Sequence, residues 1–322
     1  MRAAVLHTAG QPPAYAEHPD PAREAGRTLV RVTAAPVVPL DLLCASGTSY
    51  FGVPGTPYVP GVQGVGVVEE SERFGPGTRV WFATSAGMAP GDGGLAERCV
   101  TADGDVVPIE TTVADTHAAA LGLSAVAAWM ALTWRARLVE GETVLVLGAG
   151  GVVGESAIGL ARALGAGRVV AVAREDTALD HARALGADAV VAMDADADRL
   201  TTALGDALPA GADVVVDPVW GAGATAAGRV LASGGRLVNI GSAAGADAVF
   251  SSAALRSRTA SVLGYTNNAI SPDQRESALR AVLGHAEAGR LDVTRQAVPL
   301  RDVELAWRRQ AEGVGGRLVL EP

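Results

Sequence analysis

The stretch TVLVLGAGGVVGESAIGLARALGAGRVVAVAR, residues 143–174, constrains the fold more than any other part of the chain. An apolar strand, Thr143 to Leu147, runs directly into Gly148, Gly151 and Gly154, spaced GxxGxxG. An amphipathic helix follows, with Ile158, Ala161, Leu164 and the small residues Ala157 and Gly159 on its packing side, and then a second strand, Arg168 to Ala173. Strand, glycine turn, helix and strand in this order form a βαβ unit. So small a turn lets backbone N–H groups approach a pyrophosphate, and the helix N-terminus presents its positive end to the same anion. A glycine-rich turn alone would suit any α/β protein. The strand before it and the helix and strand after it favour a dinucleotide site.

The residue at the end of the second strand selects the dinucleotide. NAD sites place an Asp or Glu there to accept hydrogen bonds from the ribose 2′-hydroxyl, whereas this chain has Ala173 followed by Arg174. A guanidinium binds a 2′-phosphate in a forked, charge-assisted pair, so NADPH is the expected cofactor. The alternative is that Arg174 pairs with its neighbours Glu175 or Asp176.

The rest of the chain divides into two patterns. Before about residue 118 it is β-rich, with short alternating runs at 28–34, 64–69 and 78–82 separated by Pro- and Gly-bearing turns. A helix is expected over 116–137, followed by strands at 189–192, 213–217, 236–240 and 261–265 that alternate with helices at 177–185, 199–208 and 222–231. That alternation predicts an α/β, doubly wound parallel sheet of Rossmann type. A last helix at 272–289, a strand at 296–298, a short helix near 302–312 and a strand at 317–320 complete the reading.

Composition removes several function classes. The net charge of −9 lacks the clustered positive charge that nucleic acid or an anionic membrane surface requires. All 26 basic residues are Arg, so no lysine is present for Schiff-base chemistry. Cys44 and Cys99 give no disulfide framework, and MRAAVLHTAG lacks the apolar core of a signal peptide. No apolar run reads as long and uninterrupted enough to span a bilayer, and a cytoplasmic location is expected.

Several segments, in order and spacing, resemble the medium-chain dehydrogenase/reductase superfamily in its zinc-independent, quinone oxidoreductase-like branch. They are VVPLDLLCASG (37–47), YVPGVQGVGVV (58–68), PGTRV (76–80), GGLAERCV (93–100), GLSAVAAW (122–129), the glycine turn, DVVVDPVWG (213–221), GGRLVNIG (234–241), LGYTN (263–267) and the terminal GGRLVLEP. The resemblance implies a GroES-like β-rich domain made from residues 1–118 and 266–322, an NADPH-binding Rossmann domain at 119–265, an active-site cleft between them and a homodimer. It further implies that Gly148, Gly151, Val152, Val153 and Gly154 face the pyrophosphate and Arg174 the 2′-phosphate. Pro218, Asn239, Ile240 and Gly241 would lie beside the nicotinamide, Tyr265, Thr266 and Asn267 would close over it, and Arg317 occupies the family's basic position near the terminus.

Departures from the family pattern carry information as well. Val38, Val62 and Gln63 stand where the zinc-dependent branch has its Cys and His-Glu ligands, so no metal site is expected. Val38 and Ala127 also replace polar residues of the quinone reductases, which makes the pocket more apolar. Val38, Tyr50, Tyr58 and Trp220 are candidate pocket walls, and Tyr50 is the candidate proton donor, with solvent as the alternative source; core packing or a place at the cleft mouth is the alternative for the aromatic three. Reduction of a plain ketone needs a strong electrophile at its oxygen, whereas a quinone or an α,β-unsaturated carbonyl spreads the incoming charge. The expectation is a reductase of such conjugated small molecules. Two alternatives stand beside it: a trans-acting enoyl-thioester reductase of secondary metabolism, and a non-catalytic, crystallin-like NADPH-binding protein.

Overall fold

The computed structural model describes residues 1–313 and 315–322, which form two units: 1–122 with 293–322, and 123–292. The first begins with a two-stranded antiparallel pair, β1 (Arg2–Val5) and β2 (Ala14–Glu17). Strands β3 (Arg27–Pro36), β4 (Gln63–Glu70), β5 (Arg79–Ala83), β6 (Arg98–Ala102) and β7 (Val106–Pro108) follow, all paired antiparallel. In β3 every second residue from Thr28 to Ala34 is buried, the period-two pattern of a strand with one face on a core. Helix α1 (Pro39–Ser46) lies between β3 and β4. It starts on Pro39, whose missing N–H costs nothing in a first turn, and stops at Gly47, whose φ of 75° is adopted most readily by a residue without Cβ.

Helix α2 (Asp115–Met130) is broken at Gly122 (φ 27°, ψ −131°) and ends in a π-helical turn, residues 131–135. The break coincides with the boundary between the units. Contrary to the sequence expectation, the segment Asp115–Arg135 is long and apolar enough to cross a membrane. Its hydropathy serves a protein core instead, since 67% of its most apolar window is buried in the fold.

The second unit holds six parallel strands, β8 (Thr143–Val146), β9 (Arg168–Ala173), β10 (Ala189–Ala192), β11 (Ala212–Asp217), β12 (Leu231–Asn239) and β13 (Ser261–Gly264), in the spatial order β10-β9-β8-β11-β12-β13. The central strands are continuous apolar runs because helices cover both faces of such a sheet. Helices α3 (Val152–Ala163), α4 (Asp176–Ala184), α5 (Ala197–Ala207), α6 (Gly221–Arg229), α7 (Ser252–Arg258) and α8 (Pro272–Glu287) connect or follow the strands. Order reverses at β8, the switch point outside whose strand ends ligands bind in open α/β sheets.

The second domain boundary lies at 292, not at 265 as the sequence suggested. Helix α8 buries Ala278, Leu279, Val282 and Leu283, and the turn after it packs on α3. A Cβ on Gly159 would meet the Arg290 carbonyl oxygen at 3.2 Å and Leu291 Cδ1 at 3.3 Å, so the segment 266–292 belongs to the nucleotide-binding unit. The chain then returns to the first unit with β14 (Arg295–Pro299), helix α9 (Val303–Ala311) and β15 (Arg317–Glu321), giving the sheet order β14-β15-β3-β4-β5-β7, with β6 also on β3. The fold is thus a GroES-like β-rich domain and a Rossmann-type sheet.

Candidate active site

Each glycine of the turn after β8 has its own reason. Gly148 has φ 64°, and a Cβ there would stand 2.7 Å from Val219 Cγ1 and 3.3 Å from Pro218. A Cβ on Gly154 would overlap the Gly148 carbonyl oxygen, so that glycine lets α3 pack tightly on the turn. Gly151 is different, since a Cβ there meets only that carbonyl oxygen, at 3.7 Å, and otherwise opens into free space. It is also the N-cap of α3 and brings no side chain to cap the helix. The first-turn amides of Val152, Val153 and Gly154 have no intrahelical acceptor by construction. A bare backbone, unsatisfied donors and a helix N-terminus fit a dinucleotide pyrophosphate.

The candidates for the nicotinamide half lie at the carboxyl ends of β11, β12 and β13. Asn239 donates from Nδ2 to the Gly241 carbonyl at 2.7 Å, Ile240 N–H donates to the Asp217 carbonyl at 2.8 Å, and Tyr265 N–H donates to the Asn239 carbonyl at 2.9 Å. A Cβ on Gly241 would come within 2.9 Å of the Pro218 carbonyl oxygen. The Tyr265 hydroxyl donates to Asn267 Oδ1 at 2.7 Å, and Asn267 Nδ2 reaches the Leu123 carbonyl at 3.1 Å. The Thr266 hydroxyl oxygen accepts from Asn268 N–H. A shallow hollow of about 410 Å³ is lined by Trp134, Arg135, Tyr265 and Thr266. At the end of β9, Arg174 is exposed and forms no ion pair among the described residues; its alternative partners Glu175 and Asp176 form none with it.

Of the three buried carboxylates among the described residues, Asp41, Glu155 and Asp217, sequence reading missed the two that tie strand and helix ends through backbone amides. Asp217 closes β11 with its side chain inside the fold, and Oδ1 accepts from Val219 N–H at 2.9 Å and Trp220 N–H at 2.8 Å. Burial raises its pKa, against the lowering effect of those two donors and of the Asn239 side chain. Asp41 on α1 accepts from Val38 N–H at 2.9 Å through Oδ2, and from Gly61 and Val62 N–H at 3.2 and 2.9 Å through Oδ1. Burial pushes its carboxyl up to about 6 despite these donors and the nearby Arg317 charge. Both had a sequence signal: Asp41 stands at the N3 position of a Pro-started helix, and Asp217 precedes Pro218 as in an Asx-turn.

Several candidates in the β-rich unit take other roles. Tyr58 is only 5% exposed and belongs to the core around Leu6, Val59 and Leu95, so it packs instead of lining a pocket. Val38 is likewise buried at the start of α1. Arg317 is 4% exposed and donates from Nη1 to the Val37 carbonyl at 2.9 Å; so enclosed a guanidinium holds the lead into α1 and presents almost no surface to a cofactor. Tyr50 is the opposite, 79% exposed, its ring 4.2 Å from that of Phe51 and its hydroxyl without a hydrogen-bond partner among the described residues. Trp220, in the nucleotide-binding unit, lays its ring on Phe250 with centroids 5.6 Å apart.

The zinc ligand positions do not fit a metal. Val38 and Val62 carry no donor atoms, and Gln63 Oε1 is engaged by Trp81 Nε1 at 3.2 Å. No three His, Cys, Asp or Glu side chains converge on a point among the described residues. Burial pushes the Cys44 thiol up to about 11, with Asp41 adding to the effect, and Cys99 up to about 12, away from the thiolate form that binds metals.

Comparison with known proteins gives two family models. The alcohol dehydrogenase GroES-like domain matches residues 24–111, and the zinc-binding dehydrogenase model matches residues 152–283. The quinone oxidoreductase of Rattus norvegicus is 32% identical over 69% of this chain and 66% of its own length. The quinone oxidoreductase of Thermus thermophilus, whose structure was also determined with NADPH, superposes over 100% of both chains with a TM-score of 0.81 at 33% identity. A phenolphthiocerol/phthiocerol polyketide synthase polypeptide of Mycobacterium tuberculosis is 32% identical over 88% of this chain, which spans only 13% of that protein.

Proposed function

The chain belongs to the medium-chain dehydrogenase/reductase superfamily, in its quinone oxidoreductase-like group, and on that premise we propose that it reduces a quinone or an α,β-unsaturated carbonyl with NADPH, without zinc. The observation that carries the cofactor choice is Arg174, an exposed guanidinium directly after β9 with no carboxylate at the strand end and no ion pair among the described residues. A ribose 2′-phosphate would complete a forked pair there. The NADPH complex of the Thermus thermophilus relative supports the same choice.

Bound NADPH supplies the hydride from its nicotinamide ring. The backbone at Gly151 to Gly154 binds the pyrophosphate, and the Asp217–Val219 and Asn239–Gly241 ends orient the nicotinamide half. Val38, Val62 and the core-bound Gln63 provide no ligand set for the zinc that would polarise a plain ketone, and this supports an acceptor whose conjugation spreads the developing negative charge. Water delivers the proton, because the exposed Tyr50 phenol has no partner among the described residues to hold it as a preorganised acid. We place the protein in the cytoplasm, where two unpaired buried thiols stay reduced, and as a homodimer, following the habit of the family.

A second reading rests on the polyketide synthase match, which runs along 88% of this chain. In it the conjugated acceptor is an enoyl thioester. Oxidation of NADPH against a para-quinone, a simple enone and an enoyl thioester, with and without a chelator, separates the two. Turnover of the first two that the chelator leaves unchanged is expected; turnover of the thioester alone selects the second reading, and none on any acceptor, with NADPH bound, selects the non-catalytic one.

A further inference from the structure

Trp220 is one of three non-glycine residues with positive φ among those described, at φ 62° and ψ −153°. Glycine alone visits that region readily, so the fold must enforce this conformation on a tryptophan. The next residue, Gly221, also has positive φ, 63°, and opens α6. Strain of this kind persists only where surrounding contacts over-determine it, and it concentrates at functional sites.

The enforcing contacts converge on one turn. Asp217 Oδ1 holds the Val219 and Trp220 amides together. The Val219 carbonyl accepts from Ala244 N–H at 2.7 Å, and the Trp220 ring is anchored on Phe250. With both ends fixed, Val219 has one place to go. Its Cγ1 stands 2.7 Å from where a Cβ on Gly148 would be, directly on the glycine turn.

We propose that Asp217 is a positioning residue, whose carboxylate locks the strained backbone of Trp220 and thereby presses Pro218 and Val219 against Gly148 as the floor of the nicotinamide half of the site. The proposal rests on the nucleotide-binding reading above. Geometry is what matters in it, and one oxygen accepting two amides is sufficient. A strand-ending aspartate of purely structural use would affect stability without affecting cofactor affinity in the folded protein.

The test is a fluorescence titration of NADPH into folded wild-type protein, Asp217→Ala and Asp217→Asn, with the KM values for NADPH and acceptor measured beside it. Asp217→Ala is expected to weaken NADPH about tenfold or more, the equivalent of about 1.4 kcal/mol, and to raise KM for NADPH while KM for the acceptor stays. Asp217→Asn, whose amide oxygen accepts the same two N–H groups, is expected to restore binding. Wild-type affinity in Asp217→Ala overturns the proposal, as does an equal loss in Asp217→Asn. Should Asp217→Ala fail to fold, the titration is read on the double variant Asp217→Ala/Trp220→Gly, where glycine removes the strain; weak binding is expected there, and wild-type binding overturns the proposal. No NADPH binding by the wild-type protein overturns the nucleotide reading and this one together, whereas wild-type binding matched by Asp217→Ala overturns this one alone.

Discussion

Trp81 donates its indole N–H to Gln63 Oε1 at 3.2 Å, inside the β-rich unit, where both side chains are fully buried. A Cβ on Gly122 would overlap that same oxygen, so glycine at the helix break leaves the room Gln63 occupies. Gln63 stands where a zinc-dependent relative has its glutamate, and it is sealed into the core.

Restoring the acid therefore does not restore a metal site. Gln63→Glu buries a carboxylate without a cation, which is expected to cost about 3 kcal/mol or more of stability at neutral pH. Thermal unfolding with and without zinc chloride checks this. A rise of the variant's Tm on adding zinc would contradict the reading of the site.

Arg174→Ala is expected to weaken NADPH by roughly 10- to 100-fold, the loss of charge-assisted hydrogen bonds worth about 1.5–3 kcal/mol, with NADH nearly unaffected. Calorimetric titration with both cofactors gives the ratio directly. An unchanged preference would remove Arg174 from the cofactor site.

Asp41 links stability to pH with an unusual sign. Its folded pKa of about 6 lies above its ordinary value, so the native state holds the proton more tightly than the unfolded chain. The stabilisation is complete below about pH 4 and is lost as pH rises through about 6, a swing of about 3 kcal/mol. Asp41→Asn, which never ionises, is expected to lack this slope. The difference between the two proteins in urea unfolding from about pH 4 to about pH 8 isolates it, and parallel profiles would refute the assignment.

Both thiols are expected to resist a thiol-labelling reagent at mildly alkaline pH in the native protein and to react at once in denaturant. Burial suppresses the thiolate at Cys44 and Cys99 alike. Rapid labelling of either in native buffer would count against this account.

Tyr50→Phe is expected to lower kcat less than about tenfold, because water reaches so exposed a position without the phenol. A loss of about a hundredfold or more, in the range general acids contribute, would make Tyr50 the proton donor.

The strands and helices legible in the sequence were those whose periodicity is local. The strands 168–173 and 189–192 match residue for residue, and the βαβ unit announces itself through its glycine turn, where sterics demand Gly148 and Gly154. What escaped notice depends on partners distant in sequence. Arg317 reads as a basic residue near a terminus, and only the fold places it on the Val37 carbonyl. Tyr58 reads equally as a pocket wall or a core residue until its neighbour Leu6 is known. The strain at Trp220 has no sequence signature, because nothing in DPVWG forbids an ordinary turn.

Strand β15 lies between β14 and β3, so residues 317–321 complete a sheet begun by residues 27–36, with the whole second unit made in between. During synthesis the nucleotide-binding unit, continuous from 123 to 292, has all its strands first. The end of β3 at Ala35 and Pro36 meanwhile waits for its partner strand, while residues 27–31 already pair with β6. Maturation of the β-rich unit is therefore timed by translation of its last strand, and a stalled ribosome or a premature stop before residue 317 would leave β14 and the Ala35–Pro36 end of β3 without their partner in a chain whose Rossmann sheet is already finished.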